Sequence, residues 1–260
     1  MRILFLLSFC VSSISFCLPL GNPSEPLLIK DGFIFSSVSP ISVRIGYLGD
    51  YVYDLKLKPK SDFSNKIDKF DVFSNFGTIY FNFRNRLDLF GNFGSSKISS
   101  SWRTQNNTYN IDVSTKNSFC FRAGGIVTLF EWGNSSIGFG GLYSRAKPKI
   151  SSGTKNGQPL NFDDSKVFLK QWQIDLAFSY KIDIFIPYIG IKYSRNHVAI
   201  IAEDYGVITA EDSNKLYLEN KENIGFAVGC SFTNSKLFML NIEARFFDEE
   251  AASISGEIRF

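Results

Sequence analysis

The sequence has one histidine, two methionines and four cysteines in 260 residues. So few soft ligands make a His/Cys metal centre a poor fit, and no ligand spacing of that kind occurs. No phosphate-binding glycine loop is present either, so no cofactor is expected. His-based catalysis has a single candidate imidazole, His197, with Asp204 and Ser213 following it in a polar stretch. Polar stretches are rich in Ser and Asp in any case, so the trio points weakly to an enzyme and the expectation is none. Runs of about 20 apolar residues are also missing, which excludes a bundle of membrane helices; mean hydropathy is -0.02. Charge of one sign is lacking: 28 Lys and Arg face 25 Asp and Glu, without the basic clusters of a nucleic-acid binder. What the chain has in excess is aromatic side chains, with 27 Phe and 11 Tyr. That content excludes a disordered chain.

Residues 1–17, MRILFLLSFCVSSISFC, have the layout of a secretory leader: Arg2, an apolar stretch from Ile3 to Val11, then small polar residues. The segment is too short to span a membrane as a stable helix. A cut after Cys17 places Ser15 at −3. Lipidation of Cys17 is the rival reading, and Phe16 sits where that signal wants a small residue. Removal of the leader takes Cys10 and Cys17 with it, leaving Cys120 and Cys230, too few for a disulfide framework.

From Ile41 onward the dominant period is two. Ile41, Val43, Ile45 and Tyr47 alternate with Ser42, Arg44 and Gly46, and the register continues through Tyr51, Tyr53 and Leu55, predicting one strand of about 17 residues. Similar runs occupy 118–130, 135–146, 166–180, 186–195, 223–232 and 236–248. In 135–146, Leu142 breaks the pattern. The last nine residues alternate without a fault and end on Phe260. Between Phe70 and Phe93 the alternation is blurred. Short turns at 131–134, 233–235 and 248–250 alternate with longer polar stretches at 94–107, 147–165 and 196–214, as in an antiparallel meander.

Alternating strands fit a secreted β-sandwich with its apolar face inward, or a membrane barrel with its apolar face toward lipid. Strand length favours the barrel. The runs cover about 9–15 residues, where globular strands average about 5–6 and spanning strands need about 9–11. Tyr51, Tyr53, Trp132, Tyr143, Tyr180 and Tyr193 gather near strand ends, where an interfacial girdle belongs. The opposite faces carry Gly, Ser and charges suited to a wet lumen. The expected fold is an all-β, transmembrane antiparallel β-barrel. At about 14–18 residues per strand and connection, residues 41–260 give an estimated 12–16 strands and, at that size, an aqueous channel. The expected organisation is a leader at 1–17, a periplasmic or lumen-associated segment at 18–40, and the barrel at 41–260.

Strand parity places Arg44, Arg122, Lys192, Glu243, Arg245, Glu257 and Arg259 on the lumen side as candidate pore-lining residues. Five of the seven are basic, which suggests a weak anion preference. The competing reading is a mutually neutralising lattice, with Glu243, Arg245, Glu257 and Arg259 on adjacent strands. Parity also places Cys120 toward the lumen and Cys230 toward lipid, too far apart to bond.

Several blocks carry a family resemblance. LPLGNPSEPLLIKDG (18–32), ISVRIGYLGDYVYD (41–54), FDVFSNFG (70–77), SRAKPK (144–149), QWQIDLAFSYKIDIFIPYIGIKYSR (171–195), GFAVGCSF (225–232) and NIEARFFDEEAASISGEIRF (241–260) resemble the chlamydial major outer membrane protein family. The resemblance implies an outer-membrane porin, usually trimeric, that is also a surface antigen and stiffens the envelope through disulfide cross-links. The C-terminal strand ending on Phe260 resembles the recognition strand of bacterial outer-membrane barrels, which implies contact with outer-membrane lipid and with the barrel-assembly machinery. A non-porin barrel serving as adhesin or structural protein is the alternative. The chain is short for the family, and Trp132 and Asn134 stand where members tend to carry cysteine, which puts the cross-linking role in doubt.

Overall fold

The computed structural model describes residues 19–28, 39–60, 66–104, 109–160, 162, 164–202, 215–234 and 237–260. The expected leader lies outside them. Fifteen strands form one antiparallel sheet: β1 (Ile41–Leu55), β2 (Leu57–Pro59), β3 (Lys66–Phe83), β4 (Leu87–Thr104), β5 (Tyr109–Thr115), β6 (Ser118–Trp132), β7 (Ser135–Ala146), β8 (Ile150–Lys155), β9 (Gln158–Leu160), β10 (Lys166–Tyr180), β11 (Phe185–Ile201), β12 (Lys215–Asn220), β13 (Ile224–Thr233), β14 (Phe238–Phe246) and β15 (Glu249–Arg259). One helical turn, α1 (Glu25–Leu28), precedes them.

Ten of these strands close on themselves in the order β3-β1-β15-β14-β13-β11-β10-β7-β6-β4, with β4 returning to β3. The ring is therefore smaller than the 12–16 staves expected. The excess chain is spent on strand length and on a second tier. β3 and β4 each run 18 residues and β11 runs 17, more than a membrane needs. Above the ring, β5 replaces β6 beside β4 and pairs on its other edge with β8. Likewise β12 replaces β13 beside β11 and pairs with β2. The polar stretch 94–107, expected as a loop, is strand through Thr104 because β4 continues past the membrane into water. There the outward residues no longer need to be apolar.

Short turns join β3 to β4, β6 to β7 and β10 to β11 at one end, where β15 also ends; this is the periplasmic end by the usual asymmetry of such barrels. Arg84 and Asn85 take φ of 51° and 52° in the first turn, the left-handed pair that suits a tight hairpin. At the opposite end β14 and β15 are joined through Phe247 and Asp248.

Parity separates two surfaces. Outward positions hold Ile45, Phe81, Leu89, Phe93, Phe139, Ile174, Leu176, Ile189, Ile191, Ile242 and Ile254, all exposed. A low aromatic belt includes Trp132 and Phe178, their ring centroids 6.4 Å apart, with Tyr180; a high one includes Trp172 and Tyr193, 5.6 Å apart. Tyr180 and Trp172 are eight residues apart on β10. At ~3.4 Å per residue and a tilt of ~40° that rises about 21 Å, close to the ~25 Å apolar band of such barrels.

Inside, the outer half of the barrel is filled by an apolar core. Leu48, Val52, Leu55, Phe70, Phe76, Ile98, Trp102, Ile111, Leu169 and Val198 belong to it, along with Cys120 and Leu142. Burying each large apolar side chain contributes roughly 1.5–3 kcal/mol, so among the described residues this is a structural plug. It also explains the blurred alternation of β3, where Phe70, Val72, Phe76 and Tyr80 all point inward and both faces read as apolar.

Candidate functional site in the barrel lumen

Beside the plug the lumen is polar, and all seven sequence-selected residues lie buried inside the barrel. Arg44 lies at the centre of one cluster. Its Nη2 donates to Asp88 Oδ2 at 2.7 Å, its Nε donates to Glu257 Oε2 at 2.9 Å, and Nη2 lies 3.4 Å from Glu25 Oε1. The Tyr80 ring packs against the guanidinium at 4.9 Å, and Asn82 Nδ2 donates to Asp88 at 2.7 Å.

A second cluster forms around Asp50, which accepts from Arg122 Nη2 on one oxygen and from Arg245 Nη2 on the other, both at 2.6 Å. Arg122 also lies over the Phe76 ring at 4.2 Å, where the polar half meets the apolar plug. Arg245 Nε stands 3.3 Å from Glu243. Below the β14–β15 turn, Lys192 Nζ pairs with Asp248 at 3.1 Å and also with Glu249; Ser194 Oγ donates to Asp248 at 2.6 Å. Arg259 Nη1 reaches Asn85 Oδ1 at 3.4 Å.

The buried set is wider than these seven, and its balance is not basic. The buried acids among the described residues are Glu25, Asp50, Asp88, Asp175, Glu243, Asp248, Glu249 and Glu257, against Arg44, Arg122, Lys192, Arg245 and Arg259. Acids outnumber bases inside. Asp50 and Asp175 were visible at inward parity. Asp88 lies in the blurred stretch, Asp248 and Glu249 read as turn residues, and Glu25 precedes the first strand.

Residues 19–28 enter the lumen from the periplasmic side. The backbone N–H of Leu20 donates to Glu243 Oε1 and Oε2 at 2.9 and 3.1 Å, and that of Gly21 donates to Oε2 at 3.1 Å. Asn22 Nδ2 donates to Ser231 Oγ and the Ile186 carbonyl at 3.0 and 3.2 Å. Thr128 Oγ1 donates to the Pro23 carbonyl at 2.8 Å, and Asn82 Nδ2 to that of Pro26 at 3.0 Å. Leu20 packs on Ala177 and Ala227, and Leu28 on Ile186 and Met239. The wall is cut to receive the segment. A Cβ on Gly190 would sit 2.5 Å from Leu20 Cδ2, and one on Gly138 would sit 2.8 Å from Pro23 Cβ. A cavity of about 30 Å³ between segment and wall has room for roughly one or two water molecules.

Cys120 is buried in the apolar plug, Cys230 is half-buried at an outward position, and both are free. His197 stands exposed on the outer face, while Asp204 and Ser213 lie outside the described residues. Phe260 donates its N–H to the Val43 carbonyl at 2.9 Å where β15 meets β1.

Comparison with known proteins supplies the remaining observation. Residues 152–205 match the profile of the family described as Chlamydia major outer membrane protein. The major outer membrane porin of serovar C of Chlamydia trachomatis is 24% identical over 375 aligned positions, covering 94% of each chain. That of Chlamydia psittaci is also 24% identical at the same coverage. From end to end the chain is similar to chlamydial major outer membrane porins. It is a multi-pass barrel of the outer membrane. The alignments are longer than the 260 residues of this chain, so its relatives carry insertions that it lacks. Among solved structures, the outer membrane protease OmpT of Escherichia coli overlays with a TM-score of 0.38 at 12% identity, covering 84% of this chain and 92% of that one. The translocator domain of autotransporter NalP from Neisseria meningitidis gives 0.40 at 8%, covering 84% and 86%. Overlays this loose identify no function.

Proposed function

We infer that this chain is an outer-membrane porin passing ions and small solutes, and that passage requires the luminal segment 19–28 and the apolar plug to move aside. The observation that carries the porin reading is the end-to-end relationship to proteins named major outer membrane porins. The packed lumen sets its form: conduction is gated, with small and intermittent openings instead of a constant large step. No catalytic step belongs to the function, since permeation needs only a passage. Trimer formation, recognition of the terminal strand by the barrel-assembly machinery, and display as a surface antigen belong to the same proposal.

The packing also favours a second reading, a structural envelope barrel that never opens. Planar-bilayer recording on the full mature chain separates the two. Discrete, repeatable current steps support the porin; silence over many verified insertions favours the structural barrel.

A further inference from the structure

The pairing register lets the outer face of β7, β10 and β11, with β13 and then β12 beyond, be read as lateral rows. The lower row is Phe139, Leu176, Ile191 and Phe226, and the next is Gly141, Ile174, Tyr193 and Ile224. Above them come Tyr143, Trp172 and Arg195, then Arg145, Lys170, His197 and Glu219. Within a few residues along each strand the surface passes from apolar to aromatic to basic. That sequence marks the boundary between hydrocarbon and the headgroups of the outer leaflet.

A groove of about 510 Å³ opens on the basic row. Lys60, Arg145, Lys170 and His197 line it together with Phe168 and Tyr217, and no carboxylate is among its described lining residues. Glu219, beside His197, is drawn away toward Lys58 at 3.7 Å. Two ammonium groups lie over aromatic faces here, Lys147 at 4.7 Å from the Phe168 ring and Lys170 at 5.9 Å from that of Tyr143. Directly beneath is a second, apolar groove of about 260 Å³, whose lining includes Phe139, Ile174, Leu176, Ile191, Tyr193 and Ile224. Cations gathered at the edge of a low-dielectric layer repel one another unless an anion sits among them. An anion that also carries hydrocarbon would fill both grooves at once.

We propose that this surface docks the phosphorylated headgroup of an outer-leaflet glycolipid. Arg145 and Lys170 hold a phosphate, Phe168 and Tyr217 face the sugar, and an acyl chain lies over Ile174, Leu176 and Ile191. Arg145 offers the fork of donors that suits phosphate, and Lys170 a point charge beside it. The proposal rests on the barrel's orientation in the membrane and is independent of whether the barrel conducts.

The test is native mass spectrometry of the refolded full chain with bis-phosphorylated lipid A as probe. Wild type is expected to retain the lipid, and the R145Q/K170Q double variant to bind it about tenfold more weakly or worse. K97Q, an exposed change in β4, three strands round the ring from β10, is expected to bind as wild type does. Heat-modifiable gel mobility checks that each variant is folded. The wild-type chain is also offered dephosphorylated lipid A, which is expected to bind as poorly as lipid A binds the double variant. Equal binding by wild type and R145Q/K170Q, or by the two lipids, overturns the proposal. Displacement of lipid A by millimolar inorganic phosphate overturns the lipid assignment in favour of a simple anion site.

Discussion

Glu243 receives the backbone N–H of Leu20 on both carboxylate oxygens, at 2.9 and 3.1 Å, although 223 residues separate the two. The contact fixes the luminal segment to the wall of β14 at a point where water has little access. A hydrogen bond to a charged acceptor contributes about 1.5–3 kcal/mol, so neutralising the acceptor loosens the segment without removing its packing. Glu243→Gln is expected to speed protease cleavage within residues 19–40 about tenfold, read by the time course of N-terminal trimming on gels. An unchanged rate would show that the segment is held elsewhere.

Steric displacement offers a route that leaves the charges alone. Gly190 lies under Leu20, and any Cβ there meets it at 2.5 Å. Gly190→Leu leaves too little room for the segment; because a Cβ there also comes within 2.9 Å of Ala177 Cβ on β10, heat-modifiable mobility checks that the barrel still forms. More frequent channel openings in planar bilayers are expected than in wild type. If the current record does not change, the segment is no barrier to ions and the plug around Trp102 alone sets the seal.

Arg44 lies among Asp88, Glu257 and Glu25, so its loss leaves three buried carboxylates without their cation. Removing one member of a buried ionic cluster costs about 3–5 kcal/mol. Arg44→Met is expected to lower unfolding stability by that order, measured by urea titration with heat-modifiable mobility as the readout. Arg44→Lys should recover part of it, since it restores the charge but not the several directed N–H donors.

Much of the barrel was legible because parity divides each strand between lipid and interior: Arg44, Glu257 and Arg259 are inward for the same reason that Ile45, Ile254 and Ile258 are outward. The interior's own composition was less legible. Leu142 interrupts the alternation because it belongs to the apolar plug, and Phe70, Phe76 and Tyr80 erase it in β3 for the same reason. Strand number was misread because β4 keeps its pairing through the polar residues 94–104, where sequence pattern suggests a loop. The luminal segment left no periodic signal at all. Its fit depends on Gly138, Gly190 and Glu243, each far away in sequence.

Selectivity is the property on which sequence and structure diverge most. From the seven inward residues chosen by parity, bases exceed acids and anions would be favoured. The buried set in the structure reverses that balance, because Asp50, Asp88, Asp175, Asp248 and Glu249 line the same interior and Glu25 enters with the segment. Charge lining a narrow passage governs which ion enters, and here the formal balance is negative. Under a KCl gradient the open channel is expected to give a reversal potential on the cation-selective side. The double variant Asp175→Asn, Asp88→Asn should move it toward zero, and raising salt should shrink the effect as the charges are screened. A reversal potential on the anion side in wild type would mean that the buried acids do not face the conducting path.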